Sequence, residues 1–202
     1  MRLVRRLFDT YVFKLSPQEE APCPDRRRLL TYIAGAAALP MLSLPELSEA
    51  AARKNARLLA FNHTHTGEKL AVVYRVGNNY VPGAITQLQN LSRDFRTGSK
   101  HPMDPALFDL LWQVSQDVET SDPFNIISAY RSPQTNRALR GRSKHSGVAE
   151  HSLHMTGKAM DVALSDVSLS DLRDAAKDLK LGGVGYYAGE FVHIDTGRVR
   201  YW

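Results

Sequence analysis

Between residues 53 and 202 the sequence alternates short strand-like and helix-like runs, with no internal repeat and no low-complexity stretch. Residues 58–62 and 70–76 read as strands, and Gly77-Asn78-Asn79 supplies turn residues for a hairpin into Tyr80 and Val81. Residues 84–96 carry Ile85, Leu88, Leu91 and Phe95 at helical spacing. Asp104 followed by Pro105 predicts a capped helix start, with Leu107, Phe108, Leu111, Val114 and Val118 on one apolar face. Residues 125–130 form an apolar strand ending at Arg131, and Ser132-Pro133 opens another helix. Ser168 and Asp171 stand as a capping box before Leu172, Ala175, Ala176 and Leu179, a helix stopped by Gly182-Gly183. Tyr186, Tyr187 and residues 191–194 read as closing strands. This order predicts an α+β domain, a small antiparallel sheet with flanking helices.

The core of such a domain has to be held by packing, with or without a metal, because Cys23 is the only cysteine and no intrachain disulfide is possible. Hydrophobic residues at 43% and charged residues at 23% suffice for one packed domain. Residues 53–202 are expected to form that domain, and residues 1–52 stand apart as a basic segment with an export signal. Arg26, Arg27 and Arg28 precede a moderately apolar run from 29 to 44, and small residues follow at 50–52. The paired arginines before Leu29 and Leu30 resemble a twin-arginine signal, which predicts the periplasm or cell envelope. Pro40 and Pro45 interrupt the run, which falls short of the roughly 20 apolar residues that span a bilayer. Residues 1–13 could form a short basic amphipathic helix that touches a membrane. The formal charge of +5 favours anionic partners. No run of Lys and Arg interleaved with aromatics marks a nucleic-acid surface, and none is expected to bind.

Three segments carry chemistry: S-L-H-M-T-G-K-A-M-D at 152–161, E-F-V-H-I-D at 190–195 and S-A-Y-R-S at 128–132. A catalytic zinc takes three protein ligands and keeps a fourth position open. On a single helix His154 and Asp161 would stand two turns apart, about 10 Å along the axis, too far to share an ion. A bend at Gly157 into an extended run at 160–162 would bring them together, with His193 arriving from a distant strand. Two neutral imidazoles and one carboxylate would leave a zinc site with net positive charge, suited to Lewis-acid chemistry. His63 and His65 form an H-x-H pair at a strand end and are read as turn residues. His145 and His151 are read as solvated or substrate-side.

Residues 152–161 resemble the S-x-H-x-x-G-x-A-x-D signature of the zinc D-alanyl-D-alanine peptidases, a family of murein peptidases, endolysins and resistance dipeptidases. The resemblance implies a hedgehog/DD-peptidase-like fold, a Zn2+ cofactor and zinc ligands at His154, Asp161 and His193. The segment Tyr130-Arg131-Ser132 is similar to the family's element whose arginine faces the scissile bond. G-G-V-G-Y-Y, F-V-H-I-D-T-G and the final Tyr201-Trp202 resemble the exported, murein endopeptidase K-like branch. What this implies is hydrolysis of peptide cross-links in peptidoglycan, of the LD or DD type. A carboxypeptidase of the same family and a non-catalytic peptidoglycan-binding module are the alternatives.

A carboxylate must take the proton from the attacking water. Glu190 lies three residues before His193, so a bulge or loop is needed to aim both inward, and Gly189 permits one. Asp195 shares the strand face of His193 and is the rival, as base or as the partner that orients the imidazole. Arg131 would stabilise the developing oxyanion or grip a substrate carboxylate. Ser152 is read as a hydrogen-bonding residue, not a nucleophile.

Overall fold

A computed structural model describes residues 55–142 and 147–202. The expected export segment and His145 lie outside the described residues. No described helix is long and apolar enough to cross a membrane.

Eight strands form one sheet: β1 (Ala56–His63), β2 (Lys69–Val76), β3 (Asn79–Tyr80), β4 (Phe124–Ser128), β5 (Ala159–Ala163), β6 (Gly183–Tyr187), β7 (Phe191–Asp195) and β8 (Arg200–Tyr201). Their order across the sheet is β3-β2-β1-β4-β5-β7-β6-β8. The helices are α1 (Pro82–Leu91), α2 (Pro105–Asp117), α3 (Pro133–Arg140) and α4 (Leu169–Asp178). The α+β expectation holds, but the sheet is mixed: β1 runs parallel to β4, and β6 parallel to β8. The first parallel pair follows from connectivity. The chain returns from the β1–β2–β3 hairpins through α1 and α2, and such a helical crossover delivers β4 parallel to its neighbour.

The expected caps form. Asp104 accepts from Ala106 N–H at the start of α2, Ser132 from Thr135 N–H at α3, and Ser168 from Asp171 N–H at α4. One helix is shorter than its periodicity suggested: α1 stops at Leu91, and Phe95 lies beyond it, stacked on His65 at 4.1 Å between ring centroids. The chain leaves the helix there because Asp94 turns inward to bind Ser132.

Leu59, Phe61, Phe108, Leu111, Phe124, Ile126, Met160, Leu172 and Ile194 are among the residues that fill the core between sheet and helices. The β1–β2–β3 end of the sheet is tied to α2 by one carboxylate. Asp109 accepts from Arg57, Arg75, Tyr74 and Tyr80, which stand on three different strands. Strands β4, β5 and β7 lie in the middle of the sheet, flanked on both sides.

Candidate metal centre

His154 stands on a single 3₁₀ turn, Leu153–Thr156, whose cap is the Ser152 hydroxyl. The turn ends at Gly157 with φ of 67°, a left-handed conformation that L side chains rarely adopt. A Cβ at Gly157 would also collide with the carbonyl oxygen of Pro102. The expected bend is therefore present, and it feeds directly into β5. Asp161 on β5 pairs across the sheet with His193 on β7, so both side chains emerge on one face, beneath His154.

The three groups converge. His154 Nε2 lies 3.1 Å from Asp161 Oδ1, His193 Nδ1 lies 2.8 Å from the same oxygen, and the two nitrogens are 3.1 Å apart. All three residues are buried. The far nitrogen of each ring is spoken for. His154 Nδ1 faces the Ala129 carbonyl at 2.6 Å, and a carbonyl can only accept, so that nitrogen carries the proton. His193 Nε2 faces Asp195 Oδ2 at 3.0 Å and donates to it. In the neutral rings the lone pairs of His154 Nε2 and His193 Nδ1 then point at a carboxylate oxygen. Three acceptors within 3.1 Å of one another call for a cation, and the donor set suits zinc.

The electrostatics agree. Burial alone would raise the Asp161 pKa, but the two imidazoles hold it well below the usual carboxylate range. Burial pushes His154 down. For His193 burial also opposes the charged form, yet Asp161 and Asp195 outweigh it and raise the pKa.

Asp195 is fully buried and its carboxylate is saturated. Beyond His193 it accepts from Gly183 N–H (3.1 Å), Gly197 N–H (2.8 Å) and both terminal nitrogens of Arg200 (3.1 and 2.7 Å). Burial would raise its pKa, but these donors keep it ionised far below the usual range. Asp195 meets the ring nitrogen opposite the one that faces His154 and Asp161. Glu190 is exposed on the β6–β7 hairpin, just after Gly189 with φ of 75°, so a loop, not a bulge within a strand, supplies its direction. Arg131 lies on the cleft wall. One terminal nitrogen sits 3.4 Å from Asp161 Oδ2 and 3.3 Å from Ser128 Oγ, and its backbone N–H donates to the His154 carbonyl.

These side chains open into a cleft of about 460 Å³. Residues 147–149 and 151–153 line it together with Tyr187, Phe191 and Trp202, and His151 among them is exposed. His63 is not a turn residue: it closes β1, buried, with Nδ1 facing His65 N–H at 3.3 Å. Neither His63 nor His65 joins the cluster.

Two contributors gave no sign in the sequence. Arg200 clamps Asp195 from the far side of a loop. Asp94 anchors the segment that carries Arg131, its Oδ2 accepting from Ser132 N–H (2.9 Å) and Ser132 Oγ (2.6 Å), its Oδ1 from Arg96 N–H. Burial works to raise the Asp94 pKa, but the donors Ser132, Thr135 and Arg96 hold it at about 2. A lowered pKa contributes stability above the unfolded-state value of 3.8 that is lost as pH falls toward 2. Asp94→Asn is expected to cost about 2 kcal/mol at pH 7. In urea unfolding at pH 7, 4 and 2.5 the gap between variant and parent should narrow as the acid strengthens. A gap independent of pH would contradict this account.

Residues 50–202 match the family model described as Peptidoglycan L,D-endopeptidase MepK. The chain is 40% identical over 182 residues to the peptidoglycan L,D-endopeptidase MepK of Escherichia coli strain K12, covering 88% of this chain and 97% of that protein. The Shigella flexneri protein of the same name is equally similar. A probable peptidoglycan L,D-endopeptidase MepK of Haemophilus influenzae is 37% identical over 148 residues, 72% of this chain and 78% of that protein. With a match over three quarters of its length and relatives this similar, the chain belongs to the peptidoglycan L,D-endopeptidase MepK family of metallopeptidases.

Proposed function

We propose that this protein is a zinc-dependent endopeptidase that hydrolyses peptide cross-links of peptidoglycan in the cell envelope. The observation that carries the reading is the convergence of His154 Nε2, Asp161 Oδ1 and His193 Nδ1 at the floor of an open cleft. Zinc held by these atoms would supply a Lewis acid that lowers the pKa of water and polarises a peptide carbonyl.

The residues of the chain do the rest. Asp195 and the Ala129 carbonyl fix the two imidazoles in the tautomers that direct their lone pairs inward. Glu190 accepts the proton of the attacking water and returns it to the leaving amine. Arg131, its positive charge only partly answered by Asp161 at 3.4 Å, faces the oxygen on which charge develops. The lining residues at 147–149 and 151–153, with Tyr187 and Phe191, hold the peptide and keep bulk water from the reacting bond. The names of the relatives favour an L,D bond, as found in 3–3 cross-links, over the D,D bond of 3–4 cross-links. Export through the twin-arginine route, directed by residues 25–52, would bring the folded protein to this substrate.

The test incubates the full-length, zinc-loaded protein with murein sacculi and with synthetic 3–3 and 3–4 cross-linked muropeptide dimers, and reads products by mass spectrometry. Cleavage of the 3–3 dimer, lost on chelation and restored by zinc, is the expected result. Removal of a terminal residue alone would make the protein a carboxypeptidase. Binding without cleavage in excess zinc would make it a binding module.

A further inference from the structure

Trp202 is placed as no purely structural tryptophan needs to be. Its backbone continues β8 alongside β6, with Tyr186 N–H donating to its carbonyl and its own N–H to Val184. The indole then folds back across β6 at Gly185, the residue paired in register with His193. A Cβ on Gly185 would lie 2.6 to 2.8 Å from three indole atoms, so only a glycine leaves room for the ring. Three further contacts fix it. Nε1 donates to the Tyr187 hydroxyl at 3.2 Å, the Arg200 guanidinium sits 4.9 Å from the ring, and the His193 ring lies 5.3 Å away. Yet Trp202 remains 51% exposed, and it lines the cleft.

A ring that merely shielded His193 would gain from being covered. This one is locked in position with apolar surface left open beside the metal ligands, and the Tyr187–Phe191 stack at 4.5 Å extends the same wall. A rigid aromatic face of this kind recognises an apolar group at little entropic cost. Peptidoglycan stems are built of alanine, glutamate and a diamino acid, and among these the diamino acid offers the longest run of methylenes. We propose that Trp202 is a specificity-determining substrate residue, and that its indole packs against the methylene chain of the diamino acid flanking the scissile bond. The inference rests on the peptidoglycan reading and adds to it the side of the cleft on which that residue lies.

The test uses full-length, zinc-loaded protein with Trp202→Ala, Trp202→Phe, Gly185→Ala and the Gly185→Ala/Trp202→Ala double variant. On a cross-linked dimer, Trp202→Ala is expected to lower kcat/KM about 10- to 100-fold, chiefly through KM. Zinc stoichiometry should stay unchanged, and Trp202→Phe should recover part of the loss. Gly185→Ala should reproduce the loss by displacing the indole, and should add little when Trp202 is already alanine. A dimer built with a shortened diamino acid should be disfavoured by the parent and not by Trp202→Ala. A binding readout is independent of turnover. The sequence holds two tryptophans, so with Trp112→Phe and Glu190→Gln in place Trp202 emission alone should shift and saturate with added dimer. An unchanged KM in Trp202→Ala, or a loss confined to kcat together with lost zinc, would overturn the proposal. A parent protein that neither binds nor cleaves the dimer would overturn the peptidoglycan reading itself.

Discussion

Asp161→Ala should leave the protein without bound zinc and with peptidase activity reduced at least about 10³-fold, since a metal contributes several kcal/mol of transition-state stabilisation. The negative charge of the cluster sits on this one side chain. Asp161 Oδ1 is the atom that both imidazole nitrogens approach, at 3.1 and 2.8 Å, and Oδ2 meets Arg131 at 3.4 Å. It is the one negative charge among three converging donors, so its loss leaves two neutral rings to hold a dication. The metal-free protein should suffer as well. Arg131 is 11% exposed at its side chain, and stripping its carboxylate neighbour leaves a buried cation less well compensated, a change that costs about 3 kcal/mol. Zinc content by mass spectrometry, dimer hydrolysis and urea unfolding with and without chelator would check the three parts. Asp161→Asn keeps the shape but not the charge. It should lose zinc while unfolding closer to the parent than Asp161→Ala does. Full zinc occupancy in either variant would remove Asp161 from the ligand set.

Much of this site was legible in the sequence because its signals are local. His154 and Asp161 are separated by a short link whose glycine permits one kind of return, and the structure contains that return at Gly157. Caps at Asp104, Ser132 and Ser168 were readable for the same reason, each being decided by neighbours within three residues. What was not legible depends on pairs distant in the chain. The sheet is mixed because β4 enters beside β1 after two intervening helices, and strand direction there is a property of the crossover, not of residues 124–128. Phe95 kept helical spacing with Leu91 and Leu88, yet Asp94 finds Ser132, 38 residues away, and draws the chain out of the helix. His63 looked like a turn residue because its burial is created by Phe95 and the neighbouring strands, which no local pattern announces. The Arg200–Asp195 clamp and the fit of Trp202 over Gly185 are likewise products of the sheet's edge.

The same distinction separates the two carboxylates on either side of His193. Glu190→Gln should lower kcat about 10²- to 10⁴-fold, the usual contribution of a general base, with zinc fully retained. Asp195→Asn should instead weaken zinc binding about 10- to 100-fold, the usual effect of losing the partner of a ligating histidine. Much of its activity should return in excess zinc. The two outcomes differ because Asp195 is buried against the imidazole whereas Glu190 is exposed at the cleft. Asp195 binds Nε2, buried behind the ring, with every lone pair engaged by Gly183, Gly197, Arg200 and His193 itself. A carboxylate so saturated, and held so far below its ordinary pKa, is a poor acceptor for a further proton. Glu190 is exposed at the cleft, on a loop after Gly189, where it is free to approach a bound substrate. Apo geometry of a catalytic base is often loose and tightens around the substrate. Asp195→Asn also carries a stability cost that Glu190→Gln does not, since the amide cannot accept from Arg200 and His193 as the ionised carboxylate does. Steady-state kinetics at several zinc concentrations, with Tm measured alongside, separates the two. If zinc-saturated Asp195→Asn stays as inactive as Glu190→Gln, the roles assigned to these carboxylates must be exchanged.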